Sequence, residues 1–343
     1  MSVSAASLPA LTAAILRPDA PVAHRMRGIF ALRGLPVGPG TREPLTTLLT
    51  SDPSALVRHE AAYALGQMQD AGAAAALGAA LANTDEDVMV RHEAAEALGA
   101  IGDPAAVPTL SHYLNDARVE VRETCVLALE RLAAAAAVGA PSAGGAAGAP
   151  GGDARAAAGT GVDPAFKSVD PVLVPSTPAA AGRRSVAEWA AALADTGAPL
   201  STRYAAMFAL RAARGTADED AAVDALCAAA ADGGDSALLR HEVCYVLGQL
   251  APARAVAPLA RVLATAGAPP MVRHEAAEAL GAIGGPQVEA LLRDYTGGKE
   301  AEAVVRESCE VALDMSEWLG DATELHYTHV VAGGGSEPAG TTA

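Results

Sequence analysis

VRHEAAEALGAIG, at residues 90–102, is repeated letter for letter at residues 272–284. Two related strings, VRHEAAYALGQM at 57–68 and LRHEVCYVLGQL at 239–250, complete a set of four. The two histidines of each pair are 33 residues apart, and the second pair follows the first by 182 residues. Because a period of roughly 20–50 residues indicates stacked supersecondary units, the chain is predicted to be a duplicated repeat protein.

Each repeat unit is predicted to contain two helices. In one unit, AGAAAALGAAL at 71–81 forms the first helix, NTDED at 83–87 a polar turn, and residues 88–102 the second helix. Apolar residues in the second helix recur at amphipathic spacing, which leaves one face for the neighbouring unit. Flanking strings add two more units to each half: FALR recurs at 30–33 and 208–211, and VRETC at 121–125 corresponds to VRESC at 305–309. This pattern predicts an all-α, HEAT-like α-solenoid with two pseudo-symmetric halves of four helix-pair repeats each.

Composition agrees with helices and sets the domain boundaries. Hydrophobic residues make up 51% of the chain but aromatic residues only 3%, which favours closely packed alanine- and leucine-rich helices over sheets. The expected organisation is N-terminal repeats at 1–133, a flexible Ala/Gly/Pro-rich linker at 134–184, C-terminal repeats at 185–330 and a disordered tail at 331–343.

Charge and cysteine content restrict the class of partner and the compartment. A net charge of −16 argues against binding nucleic acid, because phosphates would be repelled. The charge suits a cationic ligand or partner, and it is equally explained by general solubility. No segment is long and apolar enough to span a membrane, so no membrane partner is expected. The four cysteines lie singly, without a CxxC pair, as is typical of a reducing compartment. A cytoplasmic protein is therefore expected.

Four His-Glu dipeptides are the candidate metal ligands. Their equal position in the repeat is not explained by helix stability, since histidine is a mediocre helix former. Adjacent helices pack roughly 8–10 Å apart, so equivalent side chains can reach a common point, and two facing halves would complete a ring. Imidazole and carboxylate without thiolate suit iron or manganese, and eight donors could serve two ions with two carboxylates to spare. The eight residues are His59, Glu60, His92, Glu93, His241, Glu242, His274 and Glu275.

These four RHE-containing strings, two in each half around a variable linker, resemble the deoxyhypusine hydroxylase family. The resemblance covers about residues 8–133 and 185–320. It implies a non-haem di-iron monooxygenase that uses molecular oxygen and an external electron donor. The implied substrate is the deoxyhypusine side chain of translation initiation factor 5A, which is converted to hypusine.

The resemblance also implies a role for each member of the His-Glu set. One iron would be bound by His59, His92 and Glu93, and the other by His241, His274 and Glu275. Glu60 and Glu242 would lie beside the ions and contact the protonated amines of the substrate.

Three other functions fit the same repeats. A metal-free interaction scaffold is the commonest use of an α-solenoid. A phycobilin-lyase-like repeat protein would share the helix pairs but would not need two His-Glu pairs in each half. A hydrolase with two zinc or manganese ions would use the same types of ligand.

Overall fold

A computed structural model of the chain describes residues 8–137, 162–163, 168–173 and 184–320. The first half contains α1 (Leu8–Ile15), α2 (Val22–Arg33), α3 (Pro39–Ser51), α4 (Ala55–Gln67), α5 (Ala74–Ala82), α6 (Val88–Ile101), α7 (Val107–His112) and α8 (Val119–Ala137). The second contains α9 (Val186–Ala194), α10 (Leu200–Arg211), α11 (Glu219–Ala231), α12 (Ala237–Leu250), α13 (Val256–Ala264), α14 (Pro270–Ile283), α15 (Pro286–Arg293) and α16 (Ala303–Gly320). Between them, β1 (Val162–Asp163) and β2 (Ser168–Val169) pair antiparallel.

The predicted all-α solenoid with four helix pairs in each half is confirmed. The second helix of each pair packs on the second helix of the next pair. We call these second helices, which carry the even numbers from α2 to α16, the inner helices. Short polar side chains cap several of them. The Ser54 hydroxyl accepts a hydrogen bond from the Val57 amide at the start of α4, and Ser236 does the same for Leu239 at the start of α12. None of the helices in the described chain has the length and apolar character needed to cross a membrane.

An arginine occupies the fourth position of every inner helix and joins it to its surroundings. The Nε atoms of Arg91, Arg240 and Arg273 donate hydrogen bonds to backbone carbonyls ten residues earlier, at 3.0, 3.0 and 2.8 Å. Arg91 also forms a 2.6 Å ion pair with Asp116 in the next repeat. The arginine of the RHE string is therefore a structural element of the repeat, whereas histidine follows it in only four of the eight helices.

The glycine seven residues after each of the four repeat histidines allows the inner helices to approach closely. A Cβ atom on Gly66 in α4 would lie 2.7 Å from the Cα of Ala97 in α6, and one on Gly281 would lie 2.6 Å from the Cβ of Ala312 in α16. Real Cβ atoms do not come this close, so an alanine would push the helices apart. Because Gly66 lies two turns after His59, its contact holds the histidine-bearing helices α4 and α6 close together.

The two halves meet around a pseudo-two-fold axis and close the helices into a ring. Helix α8 contacts α10 and α12, and α16 makes the equivalent contacts with α2 and α4. Related hydrogen bonds lie at both junctions, from Ser54 to Glu307 at 2.5 Å and from Ser236 to Glu123 at 2.7 Å. The hydroxyls of Tyr63 and Tyr245, which are equivalent residues of α4 and α12, are 2.7 Å apart across the axis. The repeats therefore face inward in both halves.

One part of the predicted linker departs from the expectation of a flexible tether. Residues 168–172 are buried and contact both halves. Helix α8 also continues to Ala137, past the predicted boundary at residue 133. Most of the remaining predicted linker, and the whole predicted tail at 331–343, lie outside the described residues, so the domain boundaries stay a prediction.

Candidate metal centre

The four repeat histidines converge where the halves meet. Each is the fifth residue of its helix, in α4, α6, α12 and α14, so the same helical phase directs every imidazole inward. Ring centroids are 5.6 Å apart for His59 and His92, 5.2 Å for His241 and His274, and 5.4 Å for His59 and His274 across the axis. All four side chains are buried, and His92 and His274 are 0% exposed. The geometric convergence expected from the repeat phase is present.

The imidazole nitrogens of this cluster lack the partners that buried polar atoms normally have. Both ring nitrogens of His59, His92 and His241, and Nε2 of His274, are buried without a hydrogen-bond partner among the described residues. Such atoms are rare in proteins because burying them without a partner costs free energy. Nitrogen lone pairs directed at one point are what metal ligation requires, so the donor set fits bound metal ions.

Carboxylates complete the donor set, but its division between two ions has two geometric solutions. His59, His92 and Glu93 offer ligand atoms that lie within 4.8 Å of one another, as the family resemblance implies for one ion. His59, His241 and His274 form a second such group, which crosses between the halves. Glu93 Oε2 is 3.4 Å from His59 Nε2, and Glu275 is at the same distance from His241. The division between the ions therefore stays a prediction.

Burial and mutual repulsion keep most of the imidazoles neutral. Burial lowers the pKa of His241 to about 4, with the charge of His59 adding to the effect, and it also lowers the pKa values of His92 and His274. For His59, burial also acts to lower the pKa, but the Glu93 carboxylate, whose oxygen lies 3.4 Å from Nε2, outweighs it and raises the pKa to about 9. Four rings this close cannot all be protonated, and neutral imidazole is the form that binds metal.

Two glutamates that the His-Glu pattern did not select also belong to the site. Glu96 and Glu278 lie four residues after His92 and His274, where the other two strings have tyrosines. Ser308 donates a hydrogen bond to Glu278 at 3.1 Å, and Glu278 lies 3.6 Å from Nδ1 of His274. Burial is the main cause that raises the pKa of Glu96 well above its ordinary value. The sequence signal that could have identified these two glutamates is the alternation of tyrosine and glutamate four residues after the four histidines.

A cavity of about 230 Å³ opens onto the histidine cluster. Glu60 and Glu242, the two predicted amine-binding carboxylates, both line it. Burial, followed by the charge of Glu278, raises the pKa of Glu60 to about 8, and burial raises that of Glu242 as well. A carboxyl group in this state ionises readily once a cation approaches, because the cation offsets the cost of burying its charge. The cavity therefore favours positively charged ligands.

These pKa values predict that the protein freed of metal by a chelator loses stability as pH rises from 6.5 to 8. Glu60 and Glu275, at about 8, and His59, at about 9, keep protons in the folded state that the unfolded chain has released. The free energy of unfolding then falls with pH, by about 1.4 kcal/mol per pH unit for each proton retained. The other three histidines, neutral in the folded state, oppose part of this slope near pH 6.5, where the unfolded chain still holds some of their protons, and their effect disappears as the pH approaches 8. Urea unfolding across this range measures the slope.

The metal-loaded protein is the control for that experiment. Bound ions take the place of the retained protons, so its stability should hold or rise over the same range. A metal-free protein whose stability is flat or increases from pH 6.5 to 8 would contradict the charge state described here.

Comparison with known proteins adds sequence relationships to this geometry. The chain matches HEAT repeats over residues 8–89, 76–143 and 223–314. It is 44% identical to deoxyhypusine hydroxylase from Homo sapiens over 305 residues, which cover 88% of this chain and 89% of that one. The chain belongs to the deoxyhypusine hydroxylase family. A second member, from Arabidopsis thaliana, is 44% identical over 90% of each chain.

A solved structure of a deoxyhypusine hydroxylase superposes on both halves of this chain. Human deoxyhypusine hydroxylase in complex with glycerol superposes with a TM-score of 0.76 at 44% identity, covering 91% of this chain and 96% of the other. The match therefore includes the ring closure as well as the individual repeats, and the resemblance first seen in four short strings extends over nearly the whole chain.

Proposed function

We propose that this chain hydroxylates the deoxyhypusine side chain of translation initiation factor 5A, with two iron ions and molecular oxygen, to form hypusine. The observation that carries the proposal is the cluster of four buried imidazoles, in which seven of the eight ring nitrogens have no hydrogen-bond partner among the described residues. It lies in a chain 44% identical to proteins named deoxyhypusine hydroxylase, so the metal-binding geometry and the relationship support the same activity.

The metal-binding role falls to six residues, and iron is the ion that their chemistry favours. Bound iron would supply activation of oxygen, which protein side chains do not perform readily. Two imidazoles and one carboxylate for each ion leave open positions for oxygen and substrate. The chain's own contribution is to hold these donors in a buried, largely neutral state. The six residues are His59, His92, Glu93, His241, His274 and Glu275.

Charge in the cavity favours a polyamine-bearing side chain. Six glutamates line it, and bound cations would favour the ionised form of each. Two divalent ions would then offset four of the six negative charges, leaving the site anionic even when Arg33 is counted. In a buried site with a low effective dielectric constant, this excess attracts ammonium groups strongly. Glu60 and Glu242 are the carboxylates proposed to contact the substrate amines. An external reductant would restore the irons after each turnover.

The tyrosine pair shapes the cavity between those two carboxylates. Tyr63 and Tyr245 both line it, and burial raises the pKa values of both phenols, so they stay protonated. One hydroxyl donates a hydrogen bond to the other at 2.7 Å. The pair joins α4 to α12 next to the histidines and keeps the two metal-binding halves in register.

The decisive experiment combines metal analysis with an activity assay. The purified protein should contain two irons per chain and should add one oxygen atom to factor 5A that carries deoxyhypusine, detected by mass spectrometry. Zinc or manganese with no hydroxylation would favour the two-metal hydrolase, and a protein that binds no metal would favour the scaffold.

The four free cysteines, all buried, fit the cytoplasmic location expected for this activity.

A further inference from the structure

The two ends of the cavity are related by the pseudo-two-fold axis but differ in exposure. Phe30 and Arg33 in α2 correspond to Phe208 and Arg211 in α10, as the shared FALR string shows. Arg33 is exposed and Phe30 is half-buried, whereas Arg211 and Phe208 are only 2% and 3% exposed. Arg33 lies over the rings of Phe30 and Tyr63, at 5.4 and 5.5 Å from their centroids. Equivalent residues therefore have different surroundings at the two ends.

The linker segment at residues 168–171 causes this difference. Arg211 binds both carboxylate oxygens of Asp170, at 3.1 and 2.6 Å, and Arg131 of the first half donates to the Asp170 carbonyl at 2.5 Å. The Gln67 side chain accepts from the Val169 amide at 2.7 Å and donates to its carbonyl at 3.2 Å. The segment is thus anchored to both halves by charged groups and by its backbone.

The cavity lining reflects the presence of this segment. Phe30 and Arg33 line the cavity at one end, but Phe208 and Arg211 are absent from its lining. The segment at residues 168–171 lines that end instead. In a ring that is otherwise pseudo-symmetric, this segment is the element that makes the two ends of the metal site unequal.

We propose that residues 168–171 close one of two equivalent mouths of the metal site, so that the substrate side chain enters only past Phe30 and Arg33. The inference rests on the proposed function and adds the direction of entry. An extended side chain in a symmetric, anionic cavity could approach the ions from either end and present different carbons to them. A closed end leaves one approach and one point of reaction.

The two amine-binding glutamates then have unequal positions. Glu60 is near the open mouth, where Arg33 is among the charges that act on it, while Asp170 acts on Glu242 at the closed end. The substrate would pass Glu60 first and reach Glu242 at the far end of the cavity. The linker, a segment outside the repeats, thus becomes a determinant of positional specificity.

Matched cysteine variants on either side of the axis test the entry direction. Gly34 and Ala212 follow Arg33 and Arg211, are both exposed, and end their helices with ordinary right-handed φ angles of −76° and −68°. The four native cysteines are buried, so a polyethylene-glycol maleimide should modify only the introduced cysteine of Gly34→Cys or Ala212→Cys in the folded protein. Each metal-loaded variant is assayed before and after labelling.

Labelling of Gly34→Cys should lower kcat/KM for the deoxyhypusine-bearing factor by about tenfold or more, while labelling of Ala212→Cys should change it by less than about twofold. Equal losses, or a larger loss at the Ala212 position, would overturn the proposed entry direction. Unlabelled variants that bind metal but never hydroxylate the factor would count against the proposed function instead. In that case the entrance is tested by the rate at which a bulky chelator removes the bound ion. This rate should fall when the label is on Gly34→Cys and stay unchanged when it is on Ala212→Cys.

Discussion

His92→Ala and His274→Ala should each lower the bound metal below two ions per chain and reduce hydroxylation by about three orders of magnitude or more, equivalent to roughly 4 kcal/mol of barrier. Both imidazoles are 0% exposed and lie within a cluster of donors, so no water-accessible group can replace them. Metal analysis and single-turnover oxidation of the factor measure the two effects. If iron is bound, its visible absorption should decline in parallel.

Loss of metal in these variants can be distinguished from loss of folding, because the His92 ring nitrogens have no hydrogen-bond partner among the described residues. Both ring nitrogens of His92 make no hydrogen bond within the described residues, so the alanine variant loses packing but leaves no new polar group without a partner. The metal-free variants should therefore keep a cooperative thermal transition. A variant that retains both ions and normal activity would exclude His92 or His274 as a ligand.

Glu60→Gln and Glu242→Gln are the matched controls, because each adjoins a histidine in the chain and lines the same cavity. The amide keeps the shape of the side chain but removes the negative charge that attracts the substrate amine. We expect these variants to retain two ions and to bind substrate more weakly, seen as a raised KM. Metal loss equal to that of the histidine variants would show that the glutamates are themselves ligands.

The repeat pattern was sufficient to predict the fold and the convergence of the histidines. A period of 33 residues repeated in two halves leaves few ways to stack helix pairs, and equal phase requires equivalent side chains to point the same way. The glycines seven residues after the histidines, of which Gly66 is one, then set the close spacing that lets neighbouring histidines meet. Along these segments the helical periodicity of the sequence and the packing of the helices in the structure lead to the same arrangement.

The parts that could not be predicted lie where the repeat gives no information. Glu96 and Glu278 were visible in the strings, but an acidic residue one turn after a histidine is equally typical of a solvated helix face. The role of residues 168–171 was not visible, because their contacts are with Arg131 and Arg211, distant in the sequence and on opposite halves. A composition rich in Ala, Gly and Pro describes the average of the linker and conceals a short buried part.

Asp170→Ala should destabilise the protein by about 3–5 kcal/mol, the range for breaking a buried ion pair and leaving one charge behind. The side chains of Asp170 and Arg211 are 4% and 2% exposed, so the guanidinium that remains would be buried without its carboxylate. Urea unfolding of the metal-loaded protein measures the loss. Because the segment also spans the two halves, its release should open new sites for limited proteolysis near residue 170.

The exposed pair Arg17–Asp19 provides the control for the cost of losing an ion pair. Its side chains are 66% and 68% exposed, so Asp19→Ala should leave the free energy of unfolding nearly unchanged. The double variant Asp170→Leu, Arg211→Leu should be more stable than either single leucine variant, because neither charge is then left alone in the interior. If residue 170 belonged to a solvent-exposed tether, Asp170→Ala and Asp170→Leu would each be as harmless as Asp19→Ala. A cost of several kcal/mol for Asp170→Ala, together with a double leucine variant more stable than either single leucine variant, is expected only if this part of the linker is packed into the protein interior through the Asp170–Arg211 pair.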